Sequence, residues 1–465
     1  MSCVCHVQEG EKEGEDYYFL CRDQDVGRRE KGGGGITGEM AAERGMEPAF
    51  EEEHNGGTNQ VENRMAQLAV SVADGGGTST SSNGAGRRPR VAIIGAGAVG
   101  LYAGALLAAA GNADVCFLVR SDYEVAKKKG IVAESVLQSS TSVADRSVRV
   151  TIAKPWCVRD ARDIIQTAPG NIHENGTSEG EKGAGNSDDG RNAHASEIAN
   201  RCGVDWVLCA LKSTAVSDSV LRDVILPCVG ENTKIQILMN GLGLEEKFAA
   251  VFGSEKVFGG LVFGGLTRIA PAHVRHEGVP FEIRGGHFLD DVSCLRSAAS
   301  LWDGVEGVLY TPQPCLLRAQ WQKLCWNFTF NGLTVLGGGV GVDKIVGKSK
   351  DSGDKSQDGD GDGMFESAER LIRELVLVAN ADLLAHGKVA AATMDADEIV
   401  STLMSVTRTM RSYKPSTAVD FIKKNRMEVD AIFTEPMRRA QKMGLDVPVL
   451  TTVARLVKIV DENLS

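Results

Sequence analysis

A short apolar run that breaks into three glycines constrains this chain more than any other feature. Arg90 to Gly100 reads RVAIIGAGAVG, a β-branched stretch running into Gly95, Gly97 and Gly100. Gly95 permits a tight turn, Gly97 lets the backbone approach a pyrophosphate, and Gly100 lets the following helix pack closely on the strand. The anion then sits at the helix N-terminus. Ala96, Ala98 and Val99 complete the turn and are read with the glycines as a cofactor-binding segment. An Ala-rich helical stretch follows from Leu101 to Ala110, and a second strand from Asp114 to Val119. That order is the opening of a dinucleotide-binding unit, and a nicotinamide or flavin dinucleotide is the ligand it implies.

The residue after the second strand separates the cofactors. Chains that bind NAD usually offer an acid there to hold the ribose 2′-hydroxyl, whereas this one offers Arg120. A guanidinium matches a 2′-phosphate, so NADP(H) is the expected cofactor. Asp122 lies close by and keeps NAD open as the alternative.

From Arg90 to about Thr311, strand and helix patterns alternate, which predicts a largely parallel sheet with helices on both faces. Val204 to Leu211 and Lys234 to Met239 are nearly unbroken apolar runs, as central parallel strands should be. Lys212 and Asn240 follow their carboxyl ends, where ligands bind in such sheets. Gly259 to Gly286 reads as a small extra sheet region, with His273 and His276 at exposed polar positions. After Pro312 the period becomes helical, over Leu316 to Val335, Phe365 to His386, Asp395 to Met410, Met427 to Met443 and Val447 to Val460. The expected architecture is α/β plus all-α: an N-terminal Rossmann-type dinucleotide-binding domain over 90–312 and a helical bundle domain over 313–465. Residues 1–89 read as a disordered acidic and Gly-rich tail, 168–195 as a disordered insertion, and 344–363 as a polar insertion.

Charge and composition narrow the function. A net charge of −11 speaks against a general nucleic-acid or anionic-membrane surface. The acidic start matches neither a signal peptide nor a transit peptide, and a cytoplasmic location is expected. Leu324 to Val342 has the length of a membrane span, but Asn327, Asn331 and several glycines would go unsatisfied in lipid. The eleven cysteines form no CxxC pair, and Cys116, Cys209 and Cys325 fall in apolar runs, as small core residues would. Asp358 to Glu369 satisfies the spacing of a calcium-binding loop, yet no apolar helix enters it, and an acidic flexible insert is the expected reading. No metal is expected.

Lys323, Asn327 and Asn331 sit four residues apart in Leu316 to Val335 (LLRAQWQKLCWNFTFNGLTV), forming one polar stripe on an otherwise apolar helix. One ammonium and two carboxamides on a single face are costly to bury unpaired, and a substrate bearing a carbonyl and a carboxylate would satisfy them.

Taken in order, the motifs resemble the ketopantoate reductases (2-dehydropantoate 2-reductases). The resemblance rests on Gly95 to Gly100 with Arg120, on Ala210 to Lys212, on Asn240-Gly241-Leu242-Gly243, on Lys323 to Asn331, on Ser416 with Asp420, and on Glu428. It covers about Arg90 to Asn463, apart from the two insertions. It implies NADPH-dependent reduction of 2-dehydropantoate to pantoate, toward pantothenate and coenzyme A. Lys323 would be the general acid and Glu428 its partner. Asn240, Asn327, Asn331 and Ser416 would bind substrate, while Lys212 and Asn240 would reach the cofactor. Three departures stand out: Gly332 where the family has Pro, bulky Trp326 and Phe328 beside Asn327, and Met239 in place of Gln. A related reductase of another 2-oxo or β-keto acid, or a catalytically silent NADPH-binding regulator, are the other readings. Monomer and homodimer both stay open.

Overall fold

The computed structural model describes residues 87–137, 146–167, 203–347 and 362–464. Those from Arg88 onward belong to one compact unit. Residues 1–86, 138–145, 168–202, 348–361 and 465 lie outside the described residues.

Strands β1 (Arg90–Ile94), β2 (Asp114–Leu118), β5 (Trp156–Val158), β6 (Trp206–Cys209) and β7 (Lys234–Ile237) pair in parallel, with helices α1 (Ala98–Ala110), α2 (Tyr123–Lys129), α3 (Asp163–Gln166) and a run of helical turns over 218–228 between them. Strands β3 (Ile131–Leu137), β4 (Arg146–Ile152), β8 (Val257–Ala270), β9 (His273–His287) and β10 (Leu309–Pro312) complete one ten-stranded sheet in the order β4-β3-β9-β8-β7-β6-β1-β2-β5, with β10 on β9. Helix α4 (Leu244–Phe252) joins β7 to β8, and α5 (Val292–Trp302) joins β9 to β10. Side chains of β1 alternate between two cores: Val91 and Ile93 pack with α1 and α5, whereas Ala92 and Ile94 pack with α4. Helices on both faces are why these strands are apolar throughout.

Two expectations are corrected here. The Gly259 to Gly286 region is no separate sheet, because β8 pairs in parallel with β7 and antiparallel with β9, extending the main sheet by a long hairpin. His276 is not exposed: it is 1% accessible, and its Nδ1 lies 3.2 Å from the Tyr102 hydroxyl and 3.1 Å from that of Ser135. A buried ring with two hydroxyl partners is a satisfied core group.

The helical half opens with α6 (Leu316–Trp326), which continues through a π-helical segment, Asn327–Asn331, into α7 (Gly332–Leu336). It then adds α8 (Asp343–Val346), α9 (Asp362–Ala385), α10 (Ala396–Thr409), α11 (Ser416–Ile422), a second π-helical segment (Asp430–Thr434), α12 (Glu435–Lys442) and α13 (Pro448–Glu462). Asp395 caps α10 by accepting from the Glu398 amide at 2.9 Å, and Gly444 ends α12 in the left-handed region at φ 68°. Ile345 and Val346, placed in the polar insertion from sequence, are buried in α8. Helix α9 begins at Asp362, so Glu366 and Glu369 of the calcium-loop pattern lie in helix, while Asp358 and Asp360 lie outside the described residues. Among the described residues no helix is long and apolar enough to cross a membrane.

The two halves meet along α6 and α12. Leu316 and Ala319 of α6 pack on Leu261 of β8. Arg439 of α12, 9% exposed, donates to Asp382 of α9 at 2.8 Å, to Glu435 at 2.8 Å and to Glu246 of α4 at 2.5 Å. Burial disfavours its charge, but Glu246, Asp382 and Glu435 more than compensate and hold the guanidinium protonated. Asp382 also accepts from Trp321 Nε1 at 2.9 Å, which ties α6 into the same network. Removing the cation would leave the carboxylates uncompensated. Arg439→Met should therefore destabilise the chain by about 3–5 kcal/mol, read as a lower midpoint in urea unfolding.

Candidate active site

At the end of β1 the chain turns through Gly95, whose φ of 106° lies where only glycine is unstrained. A methyl on Gly100 would fall 2.1 Å from the Gly95 carbonyl oxygen, so the helix can approach the turn this closely only without a side chain. Gly97 differs. A methyl there would meet no protein atom within 4 Å. The protein itself does not require glycine at that place, and an open position at the N-cap of α1 fits the approach of a dinucleotide pyrophosphate. The first-turn amides, which include those of Ala98 and Val99, have no intrahelical acceptors and can meet an anion.

Arg120 lies exposed just beyond β2, with no ion pair among the described residues. Asp122 points the other way. It is 4% exposed and accepts from the Ala272 amide at 2.7 Å, from the Ser121 hydroxyl at 2.9 Å and from Arg268. That carboxylate is committed inside the fold, which leaves Arg120 as the exposed charged side chain just beyond β2. The residues present fit NADP(H).

Lys323 reaches across the seam. Its Nζ donates to Asn240 Oδ1 at 2.8 Å and to the Val262 carbonyl of β8 at 2.6 Å, and it lies 4.8 Å from the centre of the Phe263 ring. Among the described residues its third proton has no acceptor. Asn240, Lys323 and Asn327 line one small cavity with Glu245, Gln320 and Leu261. Burial is the main force on the amine. Arg284, 4.5 Å from the same Phe263 ring, adds repulsion, while Glu428 pulls the other way, and the net effect lowers the lysine to about 7.

Glu428 thus acts on Lys323 through space, without forming an ion pair with it. Its Oε1 accepts the Ser213 amide at 2.8 Å, just past the end of β6. Lys212, next to that amide, pairs with Asp420 of α11, bridging the halves in this structure. Ser416 is exposed on α11, one turn before Asp420 and so on the same helical side. Asn331 departs from the expected stripe. It is 1% exposed, its Oδ1 has no partner among the described residues, and it does not line the cavity. The π-helical segment is the reason: its wider turn advances the chain by less than 100° per residue, so i+8 no longer follows i.

Trp326 and Phe328 do not crowd the cavity. The Trp326 indole donates to Thr407 at 3.0 Å, and Phe328 packs against Phe433 with ring centres 5.0 Å apart, both within the helical half. Gly332 is fixed by packing, since a methyl there would lie 2.8 Å from Val453. Sequence reasoning missed Glu245, Gln320, Phe263 and Arg284. Gln320 alone carried a local signal, one turn before Lys323 on the same helix.

Comparison with known proteins agrees with this geometry. Residues 91–289 match the family described as ketopantoate reductase PanE/ApbA, and 316–461 match its C-terminal domain. A 2-dehydropantoate 2-reductase of Nostoc sp. is 24% identical over 381 residues, covering 80% of this chain and 95% of that protein. The crystal structure of a 2-dehydropantoate 2-reductase from Geobacter metallireducens GS-15 superposes with a TM-score of 0.61 at 29% identity, over 81% of this chain and all of that one. A D-mandelate dehydrogenase solved with NADH and anilino(oxo)acetate shares the fold, with a TM-score of 0.58 at 18% identity, over 81% of this chain and 99% of that one. With both halves matched and a glycine turn fitted to the cofactor, this chain belongs to the ketopantoate reductase family of NADP-dependent oxidoreductases.

Proposed function

We propose that this chain reduces 2-dehydropantoate to pantoate, a step toward pantothenate and coenzyme A. The observation that carries the reading is Lys323, an amine held by two oxygens with one proton left for a substrate. Gly95 to Gly100 would hold the pyrophosphate and Arg120 the 2′-phosphate, with Lys212 and Asn240 near the cofactor's reactive end. NADPH, when bound, supplies the hydride. Charge then develops on the former keto oxygen. The Lys323 ammonium stabilises that charge and delivers a proton to the oxygen, becoming a neutral amine. Asn240 fixes the direction of Nζ. Asn327, with Ser416, would take the substrate's polar groups, whereas Asn331 is buried away from the cavity. Glu428 favours the charged lysine needed to donate, against the burial that opposes it.

The same lysine sets the sign of the pH dependence. The protonated amine is the donor, so kcat/KM for keto-acid reduction should be high below pH 7 and fall as pH rises through about 7. A limb in the opposite direction would remove Lys323 as the acid. Lys323→Ala should lower kcat by roughly 100- to 10,000-fold and abolish that limb, with NADPH affinity unchanged by fluorescence titration. Arg120→Gln should weaken NADPH by about five- to tenfold, the worth of an exposed charge pair of about 1 kcal/mol, while leaving NADH binding unaltered. The deciding assay for substrate is NADPH oxidation with a panel of keto acids, 2-dehydropantoate first. Turnover of another 2-oxo acid alone would redirect the assignment, and turnover of none would leave an NADPH-binding regulator.

A further inference from the structure

One carboxyl group in the wall of the Lys323 cavity has no part in the chemistry above. Glu245, in the first turn of α4, is 4% exposed, and among the described residues its buried Oε2 has no hydrogen-bond partner. Gly259 of β8 leaves room for it: a methyl there would fall 3.0 Å from Oε1. Gln320 and the residue's own amide hydrogen-bond the carboxyl group. Burial nevertheless opposes ionisation, and Glu246 adds repulsion. Together they outweigh those bonds and Arg439, pushing the group up to about 8. The helix N-terminus favours an anion, though weakly beside such complete desolvation.

At neutral pH Glu245 is therefore an uncharged acid whose hydroxyl can donate. The charged groups acting on it are largely matched, since Arg439 binds Glu246 and Glu435, and Lys323 lines the same cavity as Glu245. Beyond the lysine lie Glu428 and Arg284. The cavity shared by Glu245, Gln320, Asn240, Asn327 and Lys323 offers about 10 Å³ to the centre of a water molecule. That is about the least space in which one water is held, and the walls supply more polar groups than a buried water needs.

We propose that Glu245 is the proton store for Lys323, a positioning residue joined to it through one water held against Gln320 and the lysine. The proposal rests on the reductase reading of this site. In turnover an Nζ–H bond of Lys323 breaks as the O–H bond of the product forms. Rotation about Cε–Nζ turns the emptied lone pair toward the water, which gives up a proton and takes one from Glu245. The lysine is then an ammonium again, the water is unchanged and Glu245 is a carboxylate. Solvent restores its proton when the site opens to release product.

Infrared spectroscopy of the ligand-free protein should show, at pH 7, the C=O stretch of a protonated carboxylic acid. The band should fade as pH rises through about 8 and be absent from Glu245→Gln. That titration uses the wild-type chain and stands even where the variant folds poorly. Mixed with NADPH and 2-dehydropantoate at pH 6.5, E245Q should complete its first turnover at the wild-type rate, because Lys323 starts charged. Later turnovers should slow several-fold with a larger solvent deuterium isotope effect, and Glu245→Asp should recover part of the loss. A wild-type spectrum without the band, or steady-state turnover in E245Q equal to wild type, would overturn the proposal. Absence of NADPH oxidation in both proteins would remove the reductase reading and this proposal with it, whereas the band without a turnover defect would remove this proposal alone.

Discussion

The amine of Lys323 belongs to the helical half, yet both oxygens that hold it belong to the sheet. Everything around it follows from keeping a charge-bearing group at that seam. Asn240 stands at the end of β7, and the next residue, Gly241, allows contact with Ala431, whose carbonyl accepts the Leu242 amide at 2.9 Å. A methyl on Gly241 would fall 2.6 Å from that carbonyl oxygen, so the turn and the helical segment that follows Glu428 are brought together by a missing side chain. The acid that moderates the lysine and the amide that orients it are thus set by one backbone contact.

Burial competes with charge at three nearby places, with different results. Arg439 keeps its proton because three carboxylates surround it. Lys323 has only Glu428 at a distance and is brought toward neutrality. Glu245 has no cation of its own, since Arg439 is already engaged, and is pushed toward the neutral form. Groups that titrate near neutrality in the wall of one cavity are what acid and base chemistry requires.

Much of this was legible in the sequence where the deciding forces are local. The glycine turn, the strand ends at Lys212 and Asn240, and the helical spacing of Lys323 and Asn327 each depend on neighbours within a few residues. The position of Asn331 was not legible, because a widened helical turn leaves no compositional mark. Nor was the separation of Glu428 from Lys323, which depends on the Ser213 amide 215 residues earlier in the chain. Glu245 looks like any acid in a first helical turn, and only the closing of β8 and α6 over it makes it unusual. His276 misled for the same reason, since its hydroxyl partners come from α1 and β3.

The π-helical segments Asn327–Asn331 and Asp430–Thr434 each come just after a proposed catalytic group and pack together through Phe328 and Phe433. One surplus residue per turn uncouples the azimuth of the upstream side chains from that of the downstream ones. Lys323 and Glu428 can therefore be aimed at the sheet while the later turns keep the register the helical core demands. Loss of a single residue from either segment would rewind it to the tighter spiral, swinging the upstream side chain by about 100° and forcing a choice between a packed interior and a working amine.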